Sequence, residues 1–304
     1  IRPQGHDIIR TWAFYTILRA VSLTGGRPWE QILVNGMVLG EDGFKMSKSR
    51  GNVTVPEEIL EQYGADSLRQ WAALGASTGS DIQFNWNDVV AANRFLTKMW
   101  NISRFALMQL DRAPYRADAK VTALADRWLL TKLALTVREV SESLEAYQFD
   151  RGLKAIREFA WDILADNYIE IVKGRLYSDS ADRDGACVAI RTSLNAICRM
   201  LAPYTPYFAE EVWSFMEEGS VHHEPWVSFS YEDEEAVLTG EILVKVISEI
   251  RRYKHDKGLA LNAPLGEVTV YTPVPVNDAG DAGFATNCTL TWKTGMPELM
   301  QVVS

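Results

Sequence analysis

Cysteine is scarce: Cys187, Cys198 and Cys288 are odd in number and form no Cys-x-x-Cys pair, which argues against a disulfide framework and against a zinc ribbon. A reducing, cytoplasmic setting is expected. No apolar run approaches the roughly 20 residues that would span a bilayer, so no membrane partner is expected. The first residues, Ile-Arg-Pro-Gln-Gly, have neither the charged nor the apolar region of a signal peptide. No initiator methionine precedes them, and the chain is expected to be a fragment or a processed product. Internal repeats and low-complexity tracts are missing too. His222 and His223 are adjacent, but no Cys, Asp or Glu stands near them at a spacing that a surface loop does not explain equally, so no metal site is expected. Positive charge is in deficit, with 31 Lys and Arg against 40 Asp and Glu and a net charge of -9. Taken alone, that balance argues against nucleic acid as a partner, because phosphate contacts need local cations. A whole-chain sum can still hide a basic face.

Apolar material is plentiful. The 304 residues are 47% hydrophobic, enough for one large or two ordinary domains with a real core. Asp7 is placed to cap a helix carrying Ile8, Trp12, Tyr15 and Ile17 to about Val21, ended by Gly25 and Gly26. "ILVNGMVLG" reads as one buried strand, turned by Glu41, Asp42 and Gly43. Pro56 at a first helical position and Gly64 just past the end bracket a short helix, and another starts near Asp66. After "STGSDIQFNW" a long amphipathic pattern runs from Asp88 to Leu110, and "DRAPYRADAK" is a polar connector. From Asp126 to about Lys257 the apolar spacing predicts four or five long helices, with Trp128, Leu129 and Leu133 on one and Ile156, Phe159, Ala160 and Ile163 on the next. That is a helical bundle. "LAPYTPYF" breaks one helix and starts another, which ends by "EEGS". Beyond Gly258, "EVTVYTP" and "TLTWKT" read as strands of a small α/β unit.

The stretch "KMSKSRGN", Lys45 to Asn52, follows the expected strand and so falls on a loop, at the strand end where ligands of α/β sheets gather. Lysines there can donate to phosphate oxygens, Ser47 and Ser49 add hydroxyl donors, and Gly51 lets the backbone come close. A nucleotide phosphate fits. A solvated polar turn fits the same residues.

"KMSKS" followed by "GN" resembles the signature loop of class I aminoacyl-tRNA synthetases, and "NGMVLGEDGFKMSKSRGNVTVPEEILEQYGADSLRQW" is similar to its surroundings in the subgroup for branched aliphatic amino acids. "GSDIQFNW", "RFLTKMWNISRF", "ADRWLLTKL" and "LAPYTPYFAEEVW" resemble the valyl enzymes, and "RPQGHDIIRTWAFYT" their archaeal branch. The likeness extends to about Gly258 and is loose beyond. It implies the α/β end of a nucleotide-binding, Rossmann-like catalytic domain over 1–86, a helical anticodon-binding domain over 87–257 and a small α/β segment over 258–304.

The same resemblance implies residue roles. Lys48 would grip the ATP phosphates as pyrophosphate leaves, with Lys45 assisting and Ser47 and Ser49 shaping the loop. Gly36, Met37 and Val38 would offer backbone groups to adenine, and Gly5 with Asp7 would hold the ribose, unless Asp7 is simply a helix cap. Trp12 and Ile8 would wall the valine side chain, unless Trp12 is ordinary core. One methylene is discriminated only modestly, so editing by a domain that this chain does not contain is expected. A basic run, Arg94, Lys98, Arg104 and Arg112, lies on the long helix. By spacing Arg94, Lys98 and Asn101 share a face that Phe105 continues, and the family meets the anticodon end of tRNA there. The other reading is a solvated face with Phe105 in the core.

The second signature of the class, His-x-Gly-His, is not supplied by "QGHD" at His6 or by any other stretch. The chain is therefore expected to begin late in the catalytic domain and to be inactive alone but able to bind tRNA. The implied partners of the whole enzyme are ATP, Mg2+, valine and tRNA(Val), with a monomer expected. The alternatives are an isoleucyl or leucyl sibling and a stand-alone tRNA-binding module.

Overall fold

The computed structural model describes residues 1–75, 77–178, 182–277, 279–295 and 300–302. The chain opens with strand β1 (Arg2–Gly5), a 3-10 turn at His6–Ile8, a π-helical turn at Ile9–Ala13 and helix α1 (Phe14–Thr24). Gly25 ends α1 in the left-handed conformation, at φ 70, as the sequence predicts. Asp7 is not a cap: the residue before the 3-10 turn is Gly5, with no side-chain bond to the backbone. The Asp7 carboxylate points instead to the Lys45 ammonium, 3.7 Å away. None of the residues of α1 is buried.

"ILVNGMVLG" is two short, half-exposed strands, β2 (Ile32–Asn35) and β3 (Val38–Leu39). β1 pairs with β2, and β3 with β4 (Ile82–Gln83), both in parallel. The break falls at Gly36, where any Cβ would run into the Ser80 carbonyl. Between them helix α2 (Pro56–Leu74) starts at Pro56 and is interrupted at Gly64, φ 75 and ψ 168. Ile59, Trp71, Phe84 and Val89 form a core against which Met46, Tyr63, Leu68, Ile82 and Trp86 pack. Val89 belongs to helix α3 (Trp86–Asp111).

Helices α4 (Leu124–Glu145) and α5 (Phe149–Glu158) follow; α5 runs on through a π-helical stretch, Phe159–Tyr168, into α6 (Ile169–Tyr177). Then come α7 (Asp182–Leu201), α8 (Pro206–Ser214) and α9 (Glu234–Asp256). The period-3.6 positions named from the sequence are inside: Trp128, Leu129, Leu133, Ile156, Phe159 and Ala160 are buried, while Ile163 is half-buried. Strand β5 (Glu267–Thr272), helix α10 (Gly280–Thr286), strand β6 (Thr289–Thr294) and strand β7 (Met300–Val302) close the chain. β5 is central, parallel to β6 and antiparallel to β7.

Two compact units result, one of Ile1–Thr97, Glu139–Ala155 and Leu201–Ala209, the other of Lys98–Arg138, Ile156–Met200 and Glu210–Ser304. In the first, Arg69 donates to the Pro203 and Tyr204 carbonyls, and the Phe208 amide donates to Asp66 at 2.7 Å. Those bonds fasten the Pro-rich helix break to α2. Burial raises the Asp66 carboxyl above its ordinary value.

In the second unit a charged cluster is largely buried. Arg175 donates to Asp126 through Nη2 at 2.6 Å and Nη1 at 2.8 Å, and to Asp281 through Nε at 3.0 Å. Asp126 also accepts from the Tyr168 hydroxyl at 2.7 Å. Burial, and then the Asp126 charge, push the Tyr168 phenol well up. Lys254 is fully buried as well, its ammonium donating to the carbonyls of Leu261, Ala263 and Thr286. Its neighbour His255 is exposed, as a helix-surface residue should be.

Candidate functional site

The loop expected to meet phosphate is held from within. Met46 packs on the core of the first unit, and Leu39 bridges Lys45 in antiparallel fashion. From Ser47 the chain turns tightly: the Ser47 carbonyl accepts from the amides of Arg50 at 3.1 Å and Gly51 at 3.2 Å, with Gly51 at φ 68. The Ser47 and Ser49 hydroxyls lie 3.4 Å apart.

Asn52 fastens both ends of the loop. Its Oδ1 accepts from the Ser47 amide at 2.9 Å, and its Nδ2 donates to the Asp42 carboxylate at 3.0 and 3.2 Å and to the carbonyls of Phe44 and Lys45. The Asn52 bond, with the Phe44 amide, holds the Asp42 carboxyl below its ordinary value. The sequence motif includes Asn52, but its role depends on partners brought together by folding. Asn52→Ala is expected to speed hydrogen exchange of the Ser47 amide by about tenfold, the scale of one hydrogen bond, with exchange at Trp71 unchanged.

With Met46 turned inward, Lys45 and Lys48 face water. Lys45 lies 3.7 Å from Asp7. Lys48 is exposed and, among the described residues, its ammonium has no ion-pair partner. An ammonium fixed at its base by a stiff turn and unpaired at its tip can take up an anionic ligand without first losing a carboxylate.

Successive strand residues offer their backbone groups to opposite edges. Met37 turns toward β4: its carbonyl accepts from the Ile82 amide at 2.9 Å, and its amide donates to Asp81 Oδ1 at 2.7 Å. Both Met37 backbone groups thus have a partner toward β4, while those of Gly36 and Val38 turn to the other edge. A cleft of about 210 Å3 opens there, lined by Asn35, Gly36, Val38, Trp71, Ser80 and Ile82 among others. Asp81 Oδ1 also meets His6 Nε2 at 3.2 Å. The Met37 bond, and then the His6 bond, lower the Asp81 carboxyl below its ordinary value. Gly5 has a local reason: a Cβ there would stand 2.8 Å from the Asp7 Oδ1.

Trp12 is not core. It is 43% exposed, with the Arg2 guanidinium 4.3 Å over its ring and Trp29 stacked parallel at 6.0 Å. Ile8 is half-buried, four residues before it.

On α3, Arg94 and Asn101 are exposed and Phe105 is half-buried, near the Lys173 ammonium. Lys98 is already occupied: it bonds Asp166 at 2.6 Å and sits 3.6 Å over the Trp161 ring. The solvated-face reading therefore does not describe Lys98.

Among the described residues no three His, Cys, Asp or Glu are grouped to hold a metal ion. Near the loop the carboxylates stand singly, Asp7 beside Lys45, Asp42 on Asn52 and Asp81 on Met37. They do not form an all-protein Mg2+ cage, and an ion carried on ATP phosphates needs only one or two such carboxylates. No helix among the described residues is long and apolar enough to cross a membrane.

Residues 2–85 match the family described as tRNA synthetases class I (I, L, M and V), and residues 126–270 the anticodon-binding domain of tRNA ligase. The α3 strip lies before the second match. Over the whole chain the sequence is 52% identical to a valine–tRNA ligase of Archaeoglobus fulgidus, of which it covers 36%. It is 50% identical over 99% of its length to that of Methanosarcina acetivorans, covering 35% of that protein. The chain thus spans about a third of the length of these curated relatives. Among solved structures, a LeuRS–tRNA–LeuAMS ternary complex of Agrobacterium radiobacter superposes with a TM-score of 0.60 at 22% identity, over 77% of this chain and 28% of that one. A methionyl-tRNA synthetase of Mycobacterium tuberculosis in complex with methionyl-adenylate gives 0.57 at 24% identity, over 69% of this chain and 42% of that one. At those identities the likeness is one of fold.

Proposed function

We propose that this chain, which belongs to the class I tRNA ligase family, supplies the ATP-loop and anticodon-binding portions of a valine–tRNA ligase. The observation that carries the reading is the identity of about half to valine–tRNA ligases over the chain, on a fold in which Lys48 stands exposed on a fastened loop with no ion-pair partner among the described residues. The whole enzyme would join valine to ATP, release pyrophosphate and pass the valyl group to tRNA(Val). Lys48 donates to the phosphates as charge moves onto the leaving pyrophosphate, with Lys45 beside it. The loop, closed by Asn52, brings these ammonium groups into position without reorganisation during the reaction. Gly36 and Val38 receive adenine at the strand edge, Asp7 the ribose, and Ile8 with Trp12 the valine methyls. Residues 1–86 act as the catalytic portion, 87–257 as the anticodon-binding portion and 258–304 as a small appended segment. On α3, Arg94 meets phosphate, and Asn101 and Phe105 meet an anticodon base; Lys98, bound to Asp166, fixes the helix on which they ride.

Amino-acid-dependent pyrophosphate exchange by the full-length protein tests the assignment. Exchange with valine well above that with isoleucine or leucine is expected. A preference for either of those, or no exchange at all, would overturn it.

The exposed setting of Trp12 changes what its removal should do. A buried Trp replaced by Ala costs about 3 to 5 kcal/mol, whereas Trp12→Ala should lose much less stability and instead flatten the ranking of valine, isoleucine and alanine. Identical relative use of the three in exchange assays would remove Trp12 from the pocket.

A further inference from the structure

We propose that Asp81 is a positioning residue for ATP, setting which backbone groups of the 36–38 segment face the nucleotide; this deepens the reading of the preceding section and rests on it. Three features of the geometry lead there.

First, β3 and β4 are only two residues each, too short to fix their own register by length. In a parallel ladder the Met37 amide would look to a carbonyl on the strand running into β4. It finds the Asp81 carboxylate instead, at 2.7 Å, while the Ser80 carbonyl stands against Gly36, where only a glycine fits. The side chain thus takes the place of a missing ladder rung and extends the pairing one residue before Val38. Bonds from the Ile82 amide to Met37 and from the Phe84 amide to Leu39 continue it.

Second, that rung decides the polarity of the segment. With Met37 and Leu39 committed to β4, Val38 and Gly36 must turn to the other edge, because neighbouring strand residues alternate. On that other edge the Gly40 amide donates to the Phe44 carbonyl at 2.8 Å, with Leu39 facing Lys45, and the pairing leads directly into the lysine loop. Without Asp81 the Met37 amide has no rung, and the pairing before Val38 rests on the Ile82–Met37 bond alone, so the 36–37 backbone is less firmly held on its edge.

Third, the same carboxylate oxygen meets His6 at 3.2 Å. His6 opens the turn that carries Asp7, and Asp7 lies 3.7 Å from Lys45. One oxygen therefore joins the strand expected to receive adenine to the turn expected to receive ribose, and both sit beside a lysine of the loop. Neither bond is buried, as the side chains of His6 and Asp81 are 46% and 43% exposed. The contacts therefore contribute little to the core and much to the relative placement of two surface segments.

The test uses the full-length protein in valine-dependent pyrophosphate exchange. Asp81→Ala is expected to raise KM for ATP by about tenfold or more, the scale of a hydrogen bond to a charged group, with KM for valine and the thermal midpoint close to those of the unaltered protein. Asp81→Asn keeps an oxygen for the Met37 amide and is expected to recover most of the ATP affinity. His6→Ala, which spares the Met37 bond, should give a smaller rise. An unchanged ATP KM in Asp81→Ala overturns the proposal while leaving the enzyme assignment standing. Equal rises in both KM values with a lowered midpoint in Asp81→Ala and Asp81→Asn alike would make Asp81 merely structural and overturn it too. Absence of exchange in the unaltered protein overturns the underlying assignment and the proposal with it.

Discussion

Lys48→Ala in the full-length protein is expected to lower the rate of valine activation about 100- to 1000-fold, the usual consequence of deleting one donor aimed at developing charge, with little change in KM for valine. Lys48 carries its charge on an exposed stem, with no carboxylate paired to it among the described residues. On the proposed reading its ammonium meets the ATP phosphates, and its contribution should grow as negative charge accumulates on the departing pyrophosphate. Interactions of that kind appear in kcat and not in ground-state affinity. Lys45 differs, since Asp7 lies 3.7 Å from it. Lys45→Ala should cost less than Lys48→Ala and should also disturb Asp7. Steady-state exchange kinetics on the two variants separates them, and an unaltered rate in Lys48→Ala would return the loop to a solvated turn.

Asp126→Ala should destabilise the folded chain by about 3 kcal/mol or more, because removing one member of a buried ion pair strands the other in a medium of low polarity. The side chain of Asp126 is 1% exposed and that of Arg175 12%. Loss of the carboxylate takes two charge-assisted bonds from Arg175 and leaves the Tyr168 hydroxyl without its 2.7 Å acceptor. Asp281 still holds Arg175 at 3.0 Å, which keeps the expected loss near the lower end. Asp126→Asn, which retains an acceptor for Tyr168, should cost less. Urea unfolding of the two variants gives the comparison. Equal midpoints for Asp126→Ala and the unaltered chain would mean that water replaces the carboxylate.

What was legible in the sequence has a common character: each signal acts over a few residues. Pro56 starts a helix because its fixed φ and missing amide suit a first turn. Gly64 interrupts α2 because it alone accepts φ 75 there without strain. Trp128, Leu129, Leu133, Ile156 and Phe159 announced buried helix faces by their spacing, and they are buried. "KMSKSRGN" displayed its chemistry in eight consecutive residues.

Tertiary structure decided the rest, because the deciding partners are far apart along the chain. "ILVNGMVLG" looks like one buried strand by composition, yet it breaks at Gly36 against the carbonyl of Ser80. Asp81 gives no local sign that it will bind Met37, 44 positions away. Lys98 looks like a free cation on a helix until Asp166, 68 positions on, takes it. Lys254 sits among charged neighbours in the sequence and is nevertheless buried, because three carbonyls from two later segments converge on its ammonium. Helix and turn preferences are set by local backbone sterics and side-chain spacing, so a single sequence reveals them. The pairing of a charge, the burial of a lysine and the register of a two-residue strand depend on which distant groups arrive beside them, and only the folded chain brings those groups together.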